Sequence, residues 1–262
     1  KELLLGIDET FFQEIITQQI DKKNQEKRIK NEIEKMHSIE NGVSINVRNQ
    51  YENNPYPRWD EDIIKQKVPY INVIKNQIST NIKDIKIKKI LVAGCGTGLH
   101  PINIALHDRS VSIDAIDLSS ASLAYGKKKA EEMNIENINW YQADILNLKK
   151  NNVMYDVIES VGVLHHMEDP KKGFDTLSSR LKNDGLMKIG LYSRAFRKTL
   201  DSNKDLIKKN MISKDISSIK KARKLLMEKE ILNLKDYFLT SPFIDLLMHE
   251  QELSFDIDEL KL

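Results

Sequence analysis

The 262-residue sequence predicts an α/β protein built on a doubly wound, Rossmann-like parallel sheet. Three observations carry that expectation. An apolar strand, Ile90-Leu91-Val92-Ala93, runs into a glycine loop, Gly94-Cys95-Gly96-Thr97-Gly98, and a helix follows from near Leu99. Strand-like apolar runs then recur with helical patterns between them, the alternation a parallel sheet requires. Two of those runs end in acids, Asp117 and Asp144, at the carboxyl edge where such sheets bind ligands.

Glycines at 94 and 96 allow a tight turn and a close backbone approach to a ligand. The helix that follows points its free N–H groups at the same place. Taken alone, the loop also allows the plainer reading of a link between strand and helix. Its G-x-G-x-G spacing places the third glycine one residue earlier than the dinucleotide fingerprint, which weighs against an NAD-dependent oxidoreductase. The second strand, Val111 to Asp117, ends about 20 residues beyond the loop, where an acid accepts both ribose hydroxyls. Ser119 to Met133 reads as a helix with Leu123, Ala124 and Ala130 toward the sheet and Lys127, Lys128 and Lys129 toward water. The third strand, Ile138 to Asp144, ends in an acid able to accept an adenine amino group. The fourth passes from Tyr155 into a loop at His165-His166 and ends at Asp169-Pro170. The fifth, Gly185 to Tyr192, follows a turn at Lys182-Asn183-Asp184-Gly185.

From Lys88 to Ser193 these motifs, in this order, resemble the class I S-adenosylmethionine-dependent methyltransferases. V-A-G-C-G-T-G stands as the cofactor loop, Asp117 as the ribose acid, A-D-I-L around Asp144 as the adenine-side motif, and V-G-V-L-H-H-M-E-D-P closes the fourth strand. The resemblance implies the class I methyltransferase sheet, with S-adenosyl-L-methionine as cofactor and S-adenosyl-L-homocysteine as product. It also implies a cofactor set of Gly94, Cys95, Gly96, Thr97, Gly98, Asp117, Leu118, Asp144, Ile145, Ser160 and Arg58. The sequence departs from the pattern at Val92, where many members carry an acid two residues before the first glycine. Contact with the methionine amino group is then expected from the loop backbone or from the amino-terminal segment. A-G-C-G-T-G, D-L-S-S-A-S-L-A-Y and I-E-S-V-G-V-L-H-H are similar to bacterial methyltransferases often joined to tetratricopeptide repeats. The rickettsial lysine methyltransferases that modify outer-membrane proteins belong near that group, and the composition rich in Lys, Ile and Asn suits an AT-rich source. Asn54-Pro55-Tyr56-Pro57-Arg58-Trp59 looks like the group's entrance motif, and Ser241 to Phe255 like its segment beyond the fifth strand. The acceptor so implied is a protein lysine, with a small molecule as the alternative.

Around the sheet, three blocks are expected: a helical segment and linker over 1–54, a cofactor-binding catalytic domain over 55–195, and a helical extension over 196–262. Residues 8–37 carry Phe11, Phe12, Ile15, Ile16, Ile20, Ile29, Ile33 and Met36 at helical spacing. That stripe either packs on the sheet domain or makes a dimer or lid contact, the dimer being a homodimer. His37 to Asn54 reads as a polar linker, and a first helix of the catalytic block runs from about Asp60 through Val73 and Ile78. Beyond the fifth strand, Ile207 to Ile216, Lys220 to Leu234 and the stretch from Ser241 through Met248 read as helices, and only Ser254 to Ile257 is strand-like. Since the full methyltransferase sheet has two further strands, a chain cut before them is expected, with a minimal five-strand sheet as the alternative.

With 40% hydrophobic residues the chain can build a core. Its net charge of +2, with lysines spread among acids, gives no field suited to nucleic acid or a membrane surface. A single cysteine, Cys95, excludes an internal disulfide and any cysteine metal cluster, so no metal is expected, and a reducing, cytoplasmic compartment is. No apolar run reaches the length of a transmembrane helix.

Methyl transfer asks mainly for alignment and exclusion of water. An amine acceptor must first lose a proton, which a tyrosine or histidine could take. The candidates are Tyr56 and Trp59 in the entrance motif, His165 and His166 after the fourth strand, and Tyr192 at the end of the fifth. Packing is the plainer role for Trp59, and one histidine of the pair is expected to hold the loop while the other faces the cleft. His100 and His249 read as ordinary helix residues, and Cys95 as a small side chain that fits its loop. A cofactor-binding module without turnover remains the non-enzymatic alternative.

Overall fold

In the computed structural model, which describes residues 16–59, 68–77, 86–148, 153–210, 216–229, 239–249 and 251–260, the strands form one six-stranded sheet. They are β1 (Glu34–Lys35), β2 (Lys89–Ala93), β3 (Ser112–Asp117), β4 (Ile138–Gln142), β5 (Tyr155–Val161) and β6 (Leu181–Gly190). Their spatial order is β1-β4-β3-β2-β5-β6, and every pairing is parallel. The chain moves outward from β2 through β3 to β4 and then crosses to β5 on the other side of β2. That reversal opens a crevice over the carboxyl ends of β2 and β5, where the glycine loop begins.

Alternation along β2 explains why helices cover both faces. Ile90 and Val92 join a core with Ile102, Ile113, Leu123 and Val157, whereas Leu91 and Ala93 join a second one with Ile116, Ile158, Leu164 and Leu177. The helices are α1 (Lys22–Glu32), α2 (Gly42–Asn53), α3 (Tyr70–Lys75), α4 (Leu99–His107), α5 (Ser120–Glu132), α6 (Pro170–Ser178), α7 (Arg194–Lys209), α8 (Ile216–Glu228) and α9 (Thr240–Leu247). Local caps fix several starts: the Ser119 hydroxyl accepts from Ser122 N at 3.1 Å at α5, and the Asp169 carboxylate accepts from Lys172 N at 2.9 Å at α6. Pro170, at the first position of α6, has no N–H to leave unsatisfied. Helices α7, α8 and α9 build a third cluster around Ile207, Ala222, Leu226 and Phe243. The strand-like piece expected near the end makes one bridge to the sheet domain, Phe255 beside Ser193, with Phe255 N donating to Tyr192 O at 2.9 Å.

Four expectations change. The polar stretch after His37 is a helix, α2, capped by Asn41, whose side chain accepts from Ser44 N at 2.9 Å. Its buried face is short and mostly polar, Ser44, Val47 and Gln50, so hydrophobic periodicity did not reveal it. The sheet has a sixth strand, and it comes from the amino-terminal side as β1 on the outer edge of β4. Lys128 and Lys129 are buried, because α1 lies across α5 and Trp59 covers its flank; the Lys129 Nζ stands 5.3 Å over the Trp59 ring. The turn expected before the fifth strand lies inside β6, as a jump in register between the Tyr155–Leu181 and Val157–Leu186 pairs.

Of the amino-terminal stripe, Ile29 and Ile33 are buried in the core while Ile20 and Met36 are exposed. Phe11, Phe12, Ile15, Asp60 and Ile78 lie outside the described residues, as do 211–215 and 230–238. No helix among the described residues is long and apolar enough to cross a membrane.

Candidate active site

A cavity of about 490 Å³ opens at the switch point, a size that suits a small-molecule cofactor and a reacting group. Its floor is the loop after β2. Gly94, Gly96 and Gly98 all have positive φ, but they do different work. At Gly96 a Cβ would meet only the Tyr56 carbonyl oxygen, at 3.2 Å, and the residue lines the cavity with Gly94, Cys95 and Thr97. A Cβ at Gly98 would lie 2.6 Å from the Trp140 ring and 2.8 Å from the Gly126 Cα, so this glycine serves the packing of α4 against α5. Gly98 therefore leaves the expected cofactor set.

Two acids mark the cavity on the β3 and β4 side. Asp117 holds the loop in shape, accepting from Gly96 N and from Ser119 N at 2.8 Å each. Burial pushes its carboxyl up to about 6, against those two backbone donors. Each oxygen keeps a free lone pair for a ligand hydroxyl. Asp144 accepts from Leu146 N at 2.9 Å through one oxygen; the other is buried with no partner among the described residues. An orphaned acceptor in a cavity wall is a ready partner for an exocyclic amino group. Leu118 and Ile145, which follow the two acids, line the cavity as well.

Three expected residues lie elsewhere. Trp59 is buried in the core; its indole N–H donates to Thr97 O at 3.2 Å and its ring meets Tyr125 edge-on, so it braces the glycine loop from behind. Arg58 turns outward to Glu26 at 2.9 Å and stacks 5.0 Å over the Tyr125 ring. Ser160 is buried behind the wall, off the cavity. Tyr56 does line it, and its neighbour Pro57 receives a hydrogen bond from the Thr97 hydroxyl. The entrance motif is thus tied to the loop through backbone oxygens.

The histidine pair divides its roles. His165 is fully buried away from the cavity, its ring 3.8 Å from that of Tyr192, and burial drives its pKa down to about 2. His166 reaches the cavity wall. Its Nδ1 meets the Gln251 carbonyl at 2.7 Å, and since a carbonyl only accepts, Nδ1 carries the proton. Burial, helped by Arg197 and Lys204, lowers its pKa to about 4, so it is neutral at pH 7. Tyr192 also lines the cavity, its hydroxyl pushed up to about 12 by burial and by Asp245.

Sequence reasoning passed over two groups. From the helical flanks, Tyr51 on α2 donates to the Asp245 carboxylate on α9 at 2.6 Å and touches His249 Nε2 at 3.1 Å. Both Tyr51 and Asp245 line the cavity, and burial pushes the Asp245 carboxyl up to about 6 against the Tyr51 hydrogen bond. Ser44, Val47 and Tyr51, all lining, stand three and four residues apart, a helical signal that a linker reading ignores. At the other end, Glu159 of β5 is buried between the Tyr70 hydroxyl and His100 Nε2, with Lys188 Nζ at 3.9 Å. Burial alone would raise its carboxyl, but His100, Tyr70 and Lys188 outweigh it and hold it below the usual range. No cluster of metal-ligating side chains occurs among the described residues.

A parallel sheet reversed over a glycine loop, with one acid placed for ribose and an orphaned acid beyond it, defines an α/β domain that binds an adenosyl cofactor. Residues 90–185 match the methyltransferase domain family. An uncharacterised protein of Synechococcus is 28% identical over 191 residues, 66% of this chain and 45% of its own length. A ubiquinone biosynthesis O-methyltransferase of Acinetobacter baumannii is 29% identical over 114 residues, 43% of this chain and 47% of its own. The chain thus spans about half the length of these relatives. In fold it is similar to PKMT2 from Rickettsia typhi, with a TM-score of 0.60 at 19% identity over 77% of this chain and 42% of that one. PKMT2 in complex with AdoHcy matches at a TM-score of 0.52 and 19% identity, over 78% of this chain and 39% of that one. Residues 90–185 thus form a methyltransferase domain on a Rossmann-like parallel sheet. The residues present fit such a cofactor: the orphaned Asp144 oxygen would accept from an adenine amino group, Asp117 would hold the ribose, and Gly96 leaves room for a close backbone approach.

Proposed function

We propose that the protein transfers a methyl group from S-adenosylmethionine to an amine, and that the amine is a protein lysine. The observation that carries this reading is the Tyr51–Asp245 pair, a buried carboxylate among the aromatic side chains Tyr51, Tyr56 and Tyr192 in the cavity wall. Such a wall attracts an alkyl-ammonium chiefly through the carboxylate and through the aromatic side chains of Tyr51 and Tyr56, a ring face being worth about 0.5–2 kcal/mol; the Tyr192 ring is already stacked by Arg197 and His165. When bound, S-adenosylmethionine supplies a methyl group on a positively charged sulfur. The neighbouring positive charge and burial lower the amine pKa, and the Asp245 carboxylate takes the proton it sheds while Tyr51 holds one of its oxygens. The free lone pair forms the new N–C bond as the S–C bond breaks. His166, neutral with Nε2 as an acceptor, can orient the incoming amine. The resemblance to rickettsial lysine methyltransferases supports the same acceptor, and the single buried thiol suits a cytoplasmic enzyme.

A second reading rests on the Acinetobacter relative, a ubiquinone biosynthesis O-methyltransferase, which favours a small-molecule hydroxyl as acceptor. Incubation with tritiated S-adenosylmethionine and a lysate, followed by separation of protein, nucleic acid and small molecules, tests both. Label in protein as methyllysine, lost in Asp245→Asn while S-adenosylhomocysteine affinity stays within threefold, supports the lysine reading. Label in a low-mass product replaces it with the second. Binding without label anywhere makes the domain a binding module.

A further inference from the structure

Reading the cavity as the cofactor cleft fixes a direction across the sheet. Asp144 follows β4 by two residues and Asp117 ends β3, so the adenine and ribose ends lie over those strands, and the methionine end comes over β2 and β5. On β2 the wall offers only Val92 and Ala93. Val92, however, stands in register with Glu159 on the adjacent strand, and parallel partners point their side chains to the same face. A carboxylate is thus present at the depth where β2 lacks one, shifted by one strand. Lys188 of β6 stands in register with Glu159 in turn, and its Nζ lies 3.9 Å from that carboxylate. Glu159, Lys188 and Asn103 all line the cavity, and the Asn103 side-chain oxygen is buried with no partner among the described residues.

Resting on the cofactor reading of this cleft, we infer that Glu159 and Lys188 form the seat for the amino-acid end of the cofactor. The Glu159 carboxylate receives the α-ammonium, and Lys188 Nζ receives the α-carboxylate. Glu159 is suited to this because it is not free to turn: Tyr70 fixes one oxygen and His100 the other, leaving a lone pair on each. Lys188 is half exposed and reaches along the wall from its bond to Gln77 at 2.8 Å. An ion pair that is complementary to a zwitterion separates the ligand's two charges by type, which neither glycine loop nor ribose acid does.

The test compares S-adenosylhomocysteine with 5′-methylthioadenosine, which keeps the adenosyl and thioether parts and lacks the amino acid. Calorimetry on the wild-type chain is expected to show at least tenfold tighter binding of S-adenosylhomocysteine. Glu159→Gln and Lys188→Ala should each remove most of that preference while 5′-methylthioadenosine affinity stays within twofold. Lys188→Ala perturbs only a half-exposed side chain, so it decides the matter even if Glu159→Gln does not fold. An unchanged preference in either folded variant overturns the assignment, as does equal weakening of both ligands, which marks a purely structural role. Wild-type chain that binds both ligands equally has no such seat, although the cofactor reading survives. If it binds neither, the cofactor reading fails and takes the seat with it.

Discussion

Replacing Asp117 by alanine separates its two duties, shaping the loop and holding the ribose. In the ligand-free fold its carboxylate accepts from Gly96 N and Ser119 N at 2.8 Å each, and stranding two backbone donors costs about 1–3 kcal/mol apiece when water does not replace the acceptor. Against that stands the cost of keeping a buried carboxylate ionised. Its pKa rises from 3.8 to about 6, so the group's contribution to stability is fully present below the lower value and lost as pH rises through the upper one. At pH 7 the alanine variant is relieved of roughly 3 kcal/mol on that account. The two effects oppose each other, and the melting temperature of the ligand-free variant should move by only a few degrees. Ligand affinity has no such offset. Loss of hydrogen bonds from the ribose hydroxyls to a charged acceptor removes roughly 1.5–3 kcal/mol, or about ten- to a hundredfold in Kd. Calorimetry should show the same loss for S-adenosylhomocysteine and 5′-methylthioadenosine, since both carry the ribose. Unchanged affinity for both in a folded variant would refute the ribose assignment and the direction of the cleft with it.

Gly96→Val should abolish measurable cofactor binding with circular dichroism unchanged, because its positive φ and its place in the wall both reject a β-branched side chain; retained affinity would reduce the loop to a turn. Gly98→Ala should do the reverse, costing roughly 2–4 kcal/mol in denaturant unfolding by forcing a methyl into Trp140 and the Gly126 backbone, with little effect on the affinity of what remains folded. Trp59→Ala should lower stability by about 3–5 kcal/mol through the cavity it leaves, so any loss of transfer should track the folded fraction; full stability with lost turnover would return Trp59 to the substrate path. S-adenosylhomocysteine affinity should rise with pH through about 6 and level off above 7, because the ribose favours the deprotonated Asp117; in Asp117→Asn that step should vanish, and its persistence there would assign it to Asp245, which titrates in the same range.

The cofactor side of this site was legible because local chemistry writes it into short motifs. Strand, glycine loop, helix and a terminal acid each have a spacing fixed by backbone geometry, and Gly94, Gly96, Asp117 and Asp144 all reach the cavity. Gly98 shows the limit: a glycine in the same motif answers to Trp140 across the helix, a contact that no spacing reveals. Trp59 and Arg58 mislead for a related reason, since the motif places them beside the cofactor loop but on its outer side. The proposed acceptor side was hidden. Tyr51 and Asp245 are 194 residues apart, and they meet only because α2 and α9 both fold over the same cavity. Glu159 sat inside an apolar strand where period alone says core, and its meaning emerges from register with Val92.

Equilibrium dialysis of wild-type chain against radiolabelled S-adenosylhomocysteine, with unlabelled S-adenosylmethionine and NAD as competitors, tests the central claim most directly. The cleft described here predicts one site per chain, emptied by S-adenosylmethionine and untouched by NAD. Displacement by NAD at comparable concentration, or no binding of S-adenosylhomocysteine at all, would contradict it.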